Sequence, residues 1–530
     1  MKLARSITCF LLVLLMVSGP AAMAGANESL EPITITYATF NVPVLAESSD
    51  DFTKPDGRYY DPRWEFVADK FNVKIEFVPM EYAAMQEKTR IMVQGGDMPD
   101  VILVSLGSNE HRENAAEGLL YTFPEGFEKD YPNIADELEW IAQRDAYKVD
   151  GRYVAIPRVL EKTEPYIDYI SSIYYRKDLA VEAGVEIKDY YTIEELYDMF
   201  AAVQAIYPDL TIFNHIWPDS VTQLGLVQAV PEVAKGNQFQ VNPETGLYEW
   251  VWDKPEMVEG IKWFRKFFEA GFIDKEFFTY PMYEANNMFW NGLQFATFNG
   301  TGPYFFDYVC SGYKQAHPDA DITETIAYAY LLDFEGNMQA MVGGNSWSEH
   351  IFNPDIDEEV LDRFLLLYDW MISDEGTRLC QLGREGIDYV MDGDNIISLR
   401  EVDPETGLVK KFGVDPEINE QTVSPFPMSL MEDTGLGYRN PAFSDYAKDS
   451  IRYYFNLRKN FEPLKVLGFD LYYALFDGEY FNKFSVAPMK AVYRIVYEET
   501  LDTIEDAWNQ YKAENAAEIN NVQAELNAGL

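Results

Sequence analysis

Between residues 33 and 104, the apolar residues follow patterns that are typical of β-strands and helices in turn. Ile33–Phe40 (ITITYATF) is rich in β-branched and aromatic residues, which predicts a buried strand. Val73–Val78 largely alternates apolar and polar residues, and Pro79 ends it. Val101–Val104 is wholly apolar, as expected for a parallel strand that is covered on both faces.

Two helices are predicted between these strands. Asp61 and Pro62 suit the N-cap and first position of a helix, and apolar residues follow on one helical face at Trp64, Val67, Ala68 and Phe71. Tyr82–Gln94 is predicted to be the second helix, which ends at Gly95 and Gly96. The order β-α-β-α-β predicts an α/β layer with parallel strands.

Ligands of such sheets bind beyond the carboxyl ends of the strands. This rule places Thr39–Asn41 and Ser105–Glu110 on the expected binding edge.

Further along, Thr192 and Glu195 have the spacing of a capping box, and Lys254–Ala270 is predicted to be helical. Two Pro-Glu-Thr-Gly turns, at 243–246 and 404–407, each predict a hairpin. The chain from Glu498 onward has a helical pattern.

The N-terminus has the pattern of a cleaved secretory signal at residues 1–26. Lys2 and Arg5 precede an apolar stretch, Ile7–Val17, and an Ala-x-Ala site follows. That stretch is shorter than the roughly 20 residues that span a bilayer. Cys9 lies ahead of the cleavage site, so we expect a mature chain without membrane insertion.

The most unusual feature of the composition is its acidic charge. The chain has 88 Asp and Glu against 42 Lys and Arg, a formal net charge of -46. Such a field repels nucleic acids and anionic membranes, which disfavours both as partners. Two cysteines, Cys310 and Cys380, follow the signal; they either pair or stay as separate buried thiols.

The motifs of common enzymes are absent from the sequence. There is no Walker-type phosphate loop and no G-x-S-x-G elbow, and Gly95-Gly96-Asp97 follows a helix instead of a strand, the reverse of a dinucleotide fingerprint. Asp392–Asn395 is predicted to be a hairpin turn and not a calcium loop. The histidines lack the spacing of a zinc site; they are His111, His215, His317 and His350. We therefore predict no catalytic residue, metal or cofactor.

Aromatic residues make up 15% of the chain. Their flat rings with polar tips suit the faces of sugars. Trp64 and Trp263 lie on helical stripes and are predicted to be core residues. Trp217, Tyr304 and Trp347 lie beside turns and polar residues, which makes them better ligand candidates.

Five segments, in this order, resemble the large sugar-binding branch of the extracellular solute-binding proteins of ABC importers. They are GGDMPDVILV, DGRYVAIP, YYRKDLAVEAGVEIKDYYTIEELYDMFAAV, FWNGLQFATFNGTGPYFF and LLLYDWMISDEGTRLCQLGREGIDY. The resemblance covers nearly the whole chain after the signal.

The resemblance implies an α/β, two-lobed periplasmic-binding-protein type II fold with a hinge and an interlobe ligand cleft. The order of the motifs places lobe one at 27–158 plus about 322–373, and lobe two at about 159–321 plus 374–530. It further implies a monomer, periplasmic or extracellular, that captures a sugar or oligosaccharide and delivers it to the permease subunits of an ABC transporter.

Two departures from the family pattern matter. Many large relatives carry a calcium loop after the Thr-x-x-Glu-Leu helix, and QAIYPDLTIFNHIW stands there instead, so we predict no metal. A lipobox is also absent, which favours a periplasmic or freely secreted protein over a lipoprotein.

The expected ligand-binding residues come from strand ends and turns of both lobes. Lobe one is predicted to supply Asn41, Ser105, Ser108, Asn109, Asn345 and Trp347, and residues facing them are predicted to be Trp217, Asn299, Tyr304 and Tyr389. Two other functions stay open from the sequence. One is a peptide-binding importer subunit, and the other is a secreted glycoside hydrolase with a pair of carboxylates.

Overall fold

The computed structural model describes most of the chain. It covers residues 30–39, 61–81, 84–159, 167–169, 172–214, 224–235, 238–280, 284–298, 303–342, 346–410, 440–441, 445, 448, 464–467 and 470–530, without the side chains of 167–169, 278, 303–306, 340–342 and 464–467. The predicted signal at 1–26 lies outside the described residues.

The strands, in chain order, are β1 Ile33–Thr39, β2 Val73–Pro79, β3 Val101–Val104, β4 Lys148–Val149, β5 Arg152–Tyr153, β6 Ile156–Val159, β7 Ile167–Tyr169, β8 Ser172–Arg176, β9 Tyr190–Tyr191, β10 Thr211–Phe213, β11 Phe239–Val241, β12 Tyr248–Trp250, β13 Gln294–Thr297, β14 Ile326–Leu331, β15 Gln339–Val342, β16 Ser346–Phe352, β17 Tyr389–Asp392, β18 Asn395–Ser398 and β19 Leu464–Leu467.

The α-helices are α1 Pro62–Phe71, α2 Met85–Gly95, α3 Ser108–Ala116, α4 Pro132–Trp140, α5 Lys177–Glu182, α6 Ile193–Ile206, α7 Leu226–Ala229, α8 Glu256–Glu269, α9 Glu284–Trp290, α10 Pro303–Ala316, α11 Ile322–Thr325, α12 Glu358–Met371, α13 Asp374–Leu382, α14 Leu471–Leu475, α15 Pro488–Glu498 and α16 Ile504–Ala528.

The first sheet has five strands in the order β2-β1-β3-β16-β6. β1 is parallel to β2 and to β3, which confirms the predicted β-α-β-α-β layer. β16 returns much later in the chain and pairs antiparallel with both β3 and β6. Residues of β3 are buried on both faces, as their apolar run predicted.

The second sheet also has five strands, in the order β10-β13-β8-β14-β9. β10 is parallel to β13, while β8 is antiparallel to both β13 and β14. Helices α6 and α8 each bury their own apolar face in this part of the chain. Phe200 of α6 and Phe264 of α8 are fully buried.

A third sheet, of three strands in the order β19-β15-β7, consists of the segments that run between the other two. β7 lies between β6 and β8, and β15 lies between β14 and β16. β15 pairs antiparallel with β7 and parallel with β19. Because β7 and β15 each connect the two larger sheets, and β19 pairs with β15, this small sheet is the hinge.

The two larger sheets have separate hydrophobic cores. One core surrounds the first sheet and includes Trp64, Phe123 and Phe364. Another surrounds the second sheet and includes Phe200 and Trp508. We call the part around the first sheet lobe one and the part around the second sheet lobe two.

Two segments near the expected lobe boundaries, at about 322 and 373, have the following partners. β14, within the expected lobe-one segment 322–373, pairs with β8 and β9 of the second sheet. Helix α13, expected in lobe two, places Leu379 and Cys380 in the core of lobe one. The position of β14 is determined by the strands with which it pairs, and the position of α13 by the core residues that it contacts.

The two cysteines are free and buried in different lobes. Cys310 packs with Tyr174 and Val309 against the second sheet, and Cys380 belongs to the core of lobe one. The sequence left open whether the two cysteines pair or stay separate, and the structure shows two separate thiols.

Several local predictions are confirmed. The Asp61 side chain accepts a hydrogen bond from the Arg63 N–H at 2.9 Å and so caps α1. Thr192 and Glu195 form both hydrogen bonds of the capping box on α6. A Pro-Glu-Thr-Gly turn joins β11 to β12, and Asp392–Asn395 turns between β17 and β18.

Gly95 and Gly96 end helix α2, as predicted, and the two glycines differ in backbone geometry. Gly96 is left-handed, with φ of 69°, and its N–H bonds to the carbonyls of Met92 and Val93. Gly95 is the last helical residue and has open space around its Cβ position.

We therefore expect Gly96→Ala to lower the free energy of unfolding by about 1–2 kcal/mol, because L-residues resist this backbone conformation. Gly95→Ala is the matched control and should stabilise the chain by up to about 1 kcal/mol, since alanine loses less backbone entropy in a helix. Urea unfolding of the two variants measures both effects. Equal stabilities would contradict the assignment of the cap.

Candidate functional site

The edge of the first sheet that leads into the hinge carries most of the described candidate residues. β3 ends at Val104, β6 ends at Val159, and antiparallel β16 begins at Ser346. β15 ends at Val342, so β16 starts immediately after the hinge. We call the residues 105–109, 158–159 and 346–347 the hinge-side edge.

The loop from β3 to α3 is held by one buried carboxylate. Glu349, which is 1% exposed, accepts hydrogen bonds from the N–H groups of Leu106 at 2.9 Å and Gly107 at 3.0 Å. His111 Nε2 lies 2.5 Å from the same oxygen. The carboxylate therefore fixes the turn that carries Ser105 and Ser108.

Trp347 lies on the same strand, two residues from Glu349, and is half-buried. Its ring lies 5.6 Å from the guanidinium carbon of Arg158, which is fully buried. A cation beside an aromatic face is attracted to its π-electrons. One face of the indole thus has support from within lobe one.

A local irregularity of the backbone brings Arg158 to this position. The pairing of β16 with β6 shifts register between Ser346 and Glu349. Ser348 has a positive φ of 63°, and its hydroxyl accepts from Arg158 Nε at 3.1 Å and Nη2 at 2.9 Å. Burial lowers the pKa of the Arg158 guanidinium, and nearby Tyr368 acts against that shift.

The carboxylates of this region are engaged in structural hydrogen bonds. Glu137 accepts from the Val159 N–H at 2.8 Å and from the Tyr368 hydroxyl at 3.1 Å. Because Glu137 and Glu349 both receive backbone N–H groups, these two acids hold strand ends in place.

His350 lies beneath the edge in the core of lobe one. Its Nε2 is 3.3 Å from the Tyr37 hydroxyl, and its ring packs against Tyr368 at 4.7 Å. Burial, and then the charge of Arg158, hold the pKa of His350 well below its ordinary value of 6.5. The ring is therefore neutral at neutral pH and serves packing.

The structure brings together four of the predicted ligand residues on the hinge-side edge: Ser105, Ser108, Asn109 and Trp347. Asn109 is exposed, and its Oδ1 accepts from Arg112 Nη2 at 2.7 Å. Ser105 follows β3 directly, and its carbonyl accepts from Gln86.

Tyr389, which the sequence analysis expects to face these residues, is the first residue of β17. It is 3% exposed and packs with Leu382 at the end of α13 in lobe one. Burial and then the charge of Glu385 raise the pKa of its hydroxyl. Its position follows from the packing of α13 on lobe one.

The remaining predicted residues were Asn41, Trp217, Asn299 and Asn345, and these lie outside the described part of the chain. Tyr304 is in α10, with its side chain likewise outside the description.

Sequence analysis missed the residues that support the edge, notably Arg158, Glu349 and Arg112. One signal was available for Arg158, which is a charged residue within the otherwise apolar strand segment Ile156–Val159. Charged residues in such segments are rarely buried without a partner. The identity of the partners required the fold.

Among the described residues, no group of three or more His, Cys, Asp or Glu side chains could hold a metal ion. A search of the same residues finds no helix that is long and apolar enough to cross a membrane.

Comparison with known proteins supports the same architecture. The alginate-binding protein AlgQ2 has a TM-score of 0.65 at 16% identity, covering 94% of this chain and 98% of that chain. Streptococcus pneumoniae FusA, an ABC-transporter substrate-binding protein in complex with kestose, has a TM-score of 0.61 at 15% identity, covering 93% and 98%.

The S. pneumoniae N-glycan transport solute-binding protein NgtS, in complex with Man5GlcNAc, has a TM-score of 0.55 at 15% identity, covering 94% and 99%. Together with the two lobes and hinge described above, these similarities confirm the two-lobed type II fold. No curated protein sequence matches the chain.

A family model for bacterial extracellular solute-binding proteins matches residues 64–377, which is more than half of the chain. The matched region begins in α1 and ends within α13, so it includes the hinge-side edge, the second sheet and every strand of the first sheet except β1. The chain therefore belongs to the bacterial extracellular solute-binding protein family.

Proposed function

We propose that this chain is the carbohydrate-binding subunit of an ABC importer. It captures a sugar or oligosaccharide between its lobes and delivers it to membrane permease subunits. The observation that carries the proposal is Trp347, a half-buried indole at the hinge-side edge whose ring is backed by buried Arg158. The similarity in fold to proteins that bind alginate, kestose and an N-glycan supports it.

The chemistry of the edge suits a sugar. A sugar ring presents C–H groups on its faces and hydroxyls around its rim, so it pairs with an aromatic face and with nearby polar groups. Trp347 supplies the face, while Ser105, Ser108 and Asn109 supply hydroxyl and amide groups. The family consists of binding proteins, and the buried acids Glu137 and Glu349 accept hydrogen bonds from backbone N–H groups of the edge, so we propose binding without catalysis.

Ligand residues on the opposite side stay a proposal from the sequence. The sequence predicts Trp217, Asn299 and Tyr304 on the side facing lobe one, and Asn41 and Asn345 on lobe one. We propose that lobe one contains the first sheet and helix α13, and that lobe two contains the second sheet and helices α14 to α16. Rotation about β7, β15 and β19 would then close the lobes on the ligand.

Residues 1–26 are proposed to be a cleaved secretory signal, which fits the extracellular role of the family. The mature chain would act as a monomer in the periplasm or outside the cell.

A thermal-shift panel of glycans and peptides tests the proposal. A bound glycan at about 100 times its dissociation constant should stabilise the chain by about 2.7 kcal/mol. That corresponds to a rise in melting temperature of several degrees, at about 2–4 °C per kcal/mol. Stabilisation by peptides together with no response to any glycan would contradict the assignment.

A further inference from the structure

Arg112, on helix α3, donates hydrogen bonds to both lobes. Its Nη2 donates to Asn109 Oδ1 at 2.7 Å and to the Ala474 carbonyl at 3.1 Å. Its Nη1 donates to the Ala146 carbonyl at 2.9 Å. Asn109 and Ala146 lie in lobe one, whereas Ala474 lies in α14. One guanidinium therefore joins an exposed residue of the hinge-side edge to the other lobe.

Helix α14 is fastened to lobe two. The Tyr472 hydroxyl donates to the Leu526 carbonyl at 2.9 Å, and its ring stacks on Tyr248 with centroids 5.6 Å apart. Asp470, which caps α14, accepts from the Tyr248 hydroxyl at 2.5 Å. The Ala474 carbonyl consequently moves with lobe two.

The same helix follows directly on the hinge. β19 ends at Leu467, and the N-cap of α14 is Asp470. A rotation of lobe two about the hinge sheet therefore shifts the Ala474 carbonyl relative to α3. Burial lowers the pKa of the Arg112 guanidinium. Its hydrogen bonds to the Ala146 and Ala474 carbonyls are partly buried, and the one to Asn109 is exposed.

We propose that Arg112 is a positioning residue that couples the hinge-side edge to the arrangement of the lobes. By holding Asn109 and the Ala474 carbonyl with one nitrogen, it makes the orientation of Asn109 depend on where lobe two lies. A ligand that engages Asn109 then favours one arrangement of the lobes. This inference rests on the proposed function for the role of Asn109.

Inter-lobe distance measured by pulsed electron spin resonance tests the coupling without a ligand. Exposed Lys88 in lobe one and Glu259 in lobe two take the spin labels as Lys88→Cys and Glu259→Cys. Because Cys310 and Cys380 are buried, labelling is directed to the introduced sites. Glycan affinity is measured on the same variants with a ligand from the thermal-shift panel.

Arg112→Ala should shift or broaden the inter-lobe distance of the unliganded protein and weaken glycan binding roughly tenfold, since hydrogen bonds from a charged donor are lost. Arg112→Lys should act in the same direction, because one ammonium lacks the planar set of donors that serves all three acceptors. Arg90→Ala is the matched control. Arg90, on α2, pairs with Glu110 of α3 at 2.9 Å, and both residues lie in lobe one.

The coupling is overturned if Arg112→Ala matches Arg90→Ala in both distance and affinity. A changed distance with unchanged affinity also overturns it, since the lobes would then move without effect on the edge. If the wild-type chain binds no glycan of the panel, the proposed function fails. The distance distribution of the unliganded protein then decides the role of Arg112.

Discussion

Replacing Trp347 with alanine is expected to weaken glycan binding about thirtyfold. The indole is the aromatic group of the described hinge-side edge, and Arg158 backs its ring from within lobe one. Truncation of such an aromatic anchor in a binding site typically costs about 2 kcal/mol of binding free energy. Isothermal titration calorimetry with a glycan from the panel measures the loss.

Trp370→Ala is the control for this prediction. Trp370 also has a cation over its ring, Lys70 at 4.7 Å. It lies at the end of α12, where it packs with Phe66 and Phe71 of α1. Its removal should lower the melting temperature and leave glycan affinity unchanged. If the two variants lose affinity equally, Trp347 has no direct part in binding.

Glu349→Ala is expected to lower the free energy of unfolding by about 3–5 kcal/mol. The change removes the shared acceptor of the Leu106 and Gly107 N–H groups and leaves His111 buried without this partner. Each buried donor that loses its acceptor lowers the free energy of unfolding by about 1–3 kcal/mol. Urea unfolding measures the loss, and hydrogen exchange should show faster exchange of the Leu106 and Gly107 amides.

Two further variants sharpen the test. Glu349→Gln keeps an oxygen acceptor in the same place, so we expect it to recover a large part of the stability. Glu76→Ala removes an exposed partner of Lys74 on β2 in the same lobe, and a surface pair of this kind contributes only about 0–1 kcal/mol. A Glu349→Ala variant as stable as Glu76→Ala would show that the carboxylate is dispensable for the loop.

Helices, strands and their ends followed from local sequence because their causes are local. Asp61 caps α1 two residues from its hydrogen-bond partner, and Gly96 ends α2 because it adopts a left-handed backbone. The all-apolar run of β3 reflects burial on both faces of one strand. Family resemblance extended these local patterns to a two-lobed fold, which the sheets confirm.

Local pattern does not specify which sheet a strand joins. β14 has the composition of a buried strand, and its pairing with β8 determines its lobe. Tyr389 follows a motif of the family, and the packing of α13 determines which lobe it belongs to.

By itself, the sequence determined the alternation of helices and strands, their caps and turns, the acidic charge, and the position of Ser105, Ser108 and Asn109 after a buried strand. Only the tertiary structure decided what supports those residues. Glu349 reaches the Leu106 N–H across 243 positions of the chain, and Arg112 reaches the Ala474 carbonyl across 362. The physical reason is that side-chain hydrogen bonds act over about 3 Å in space, while the chain crosses the hinge between the residues that make them.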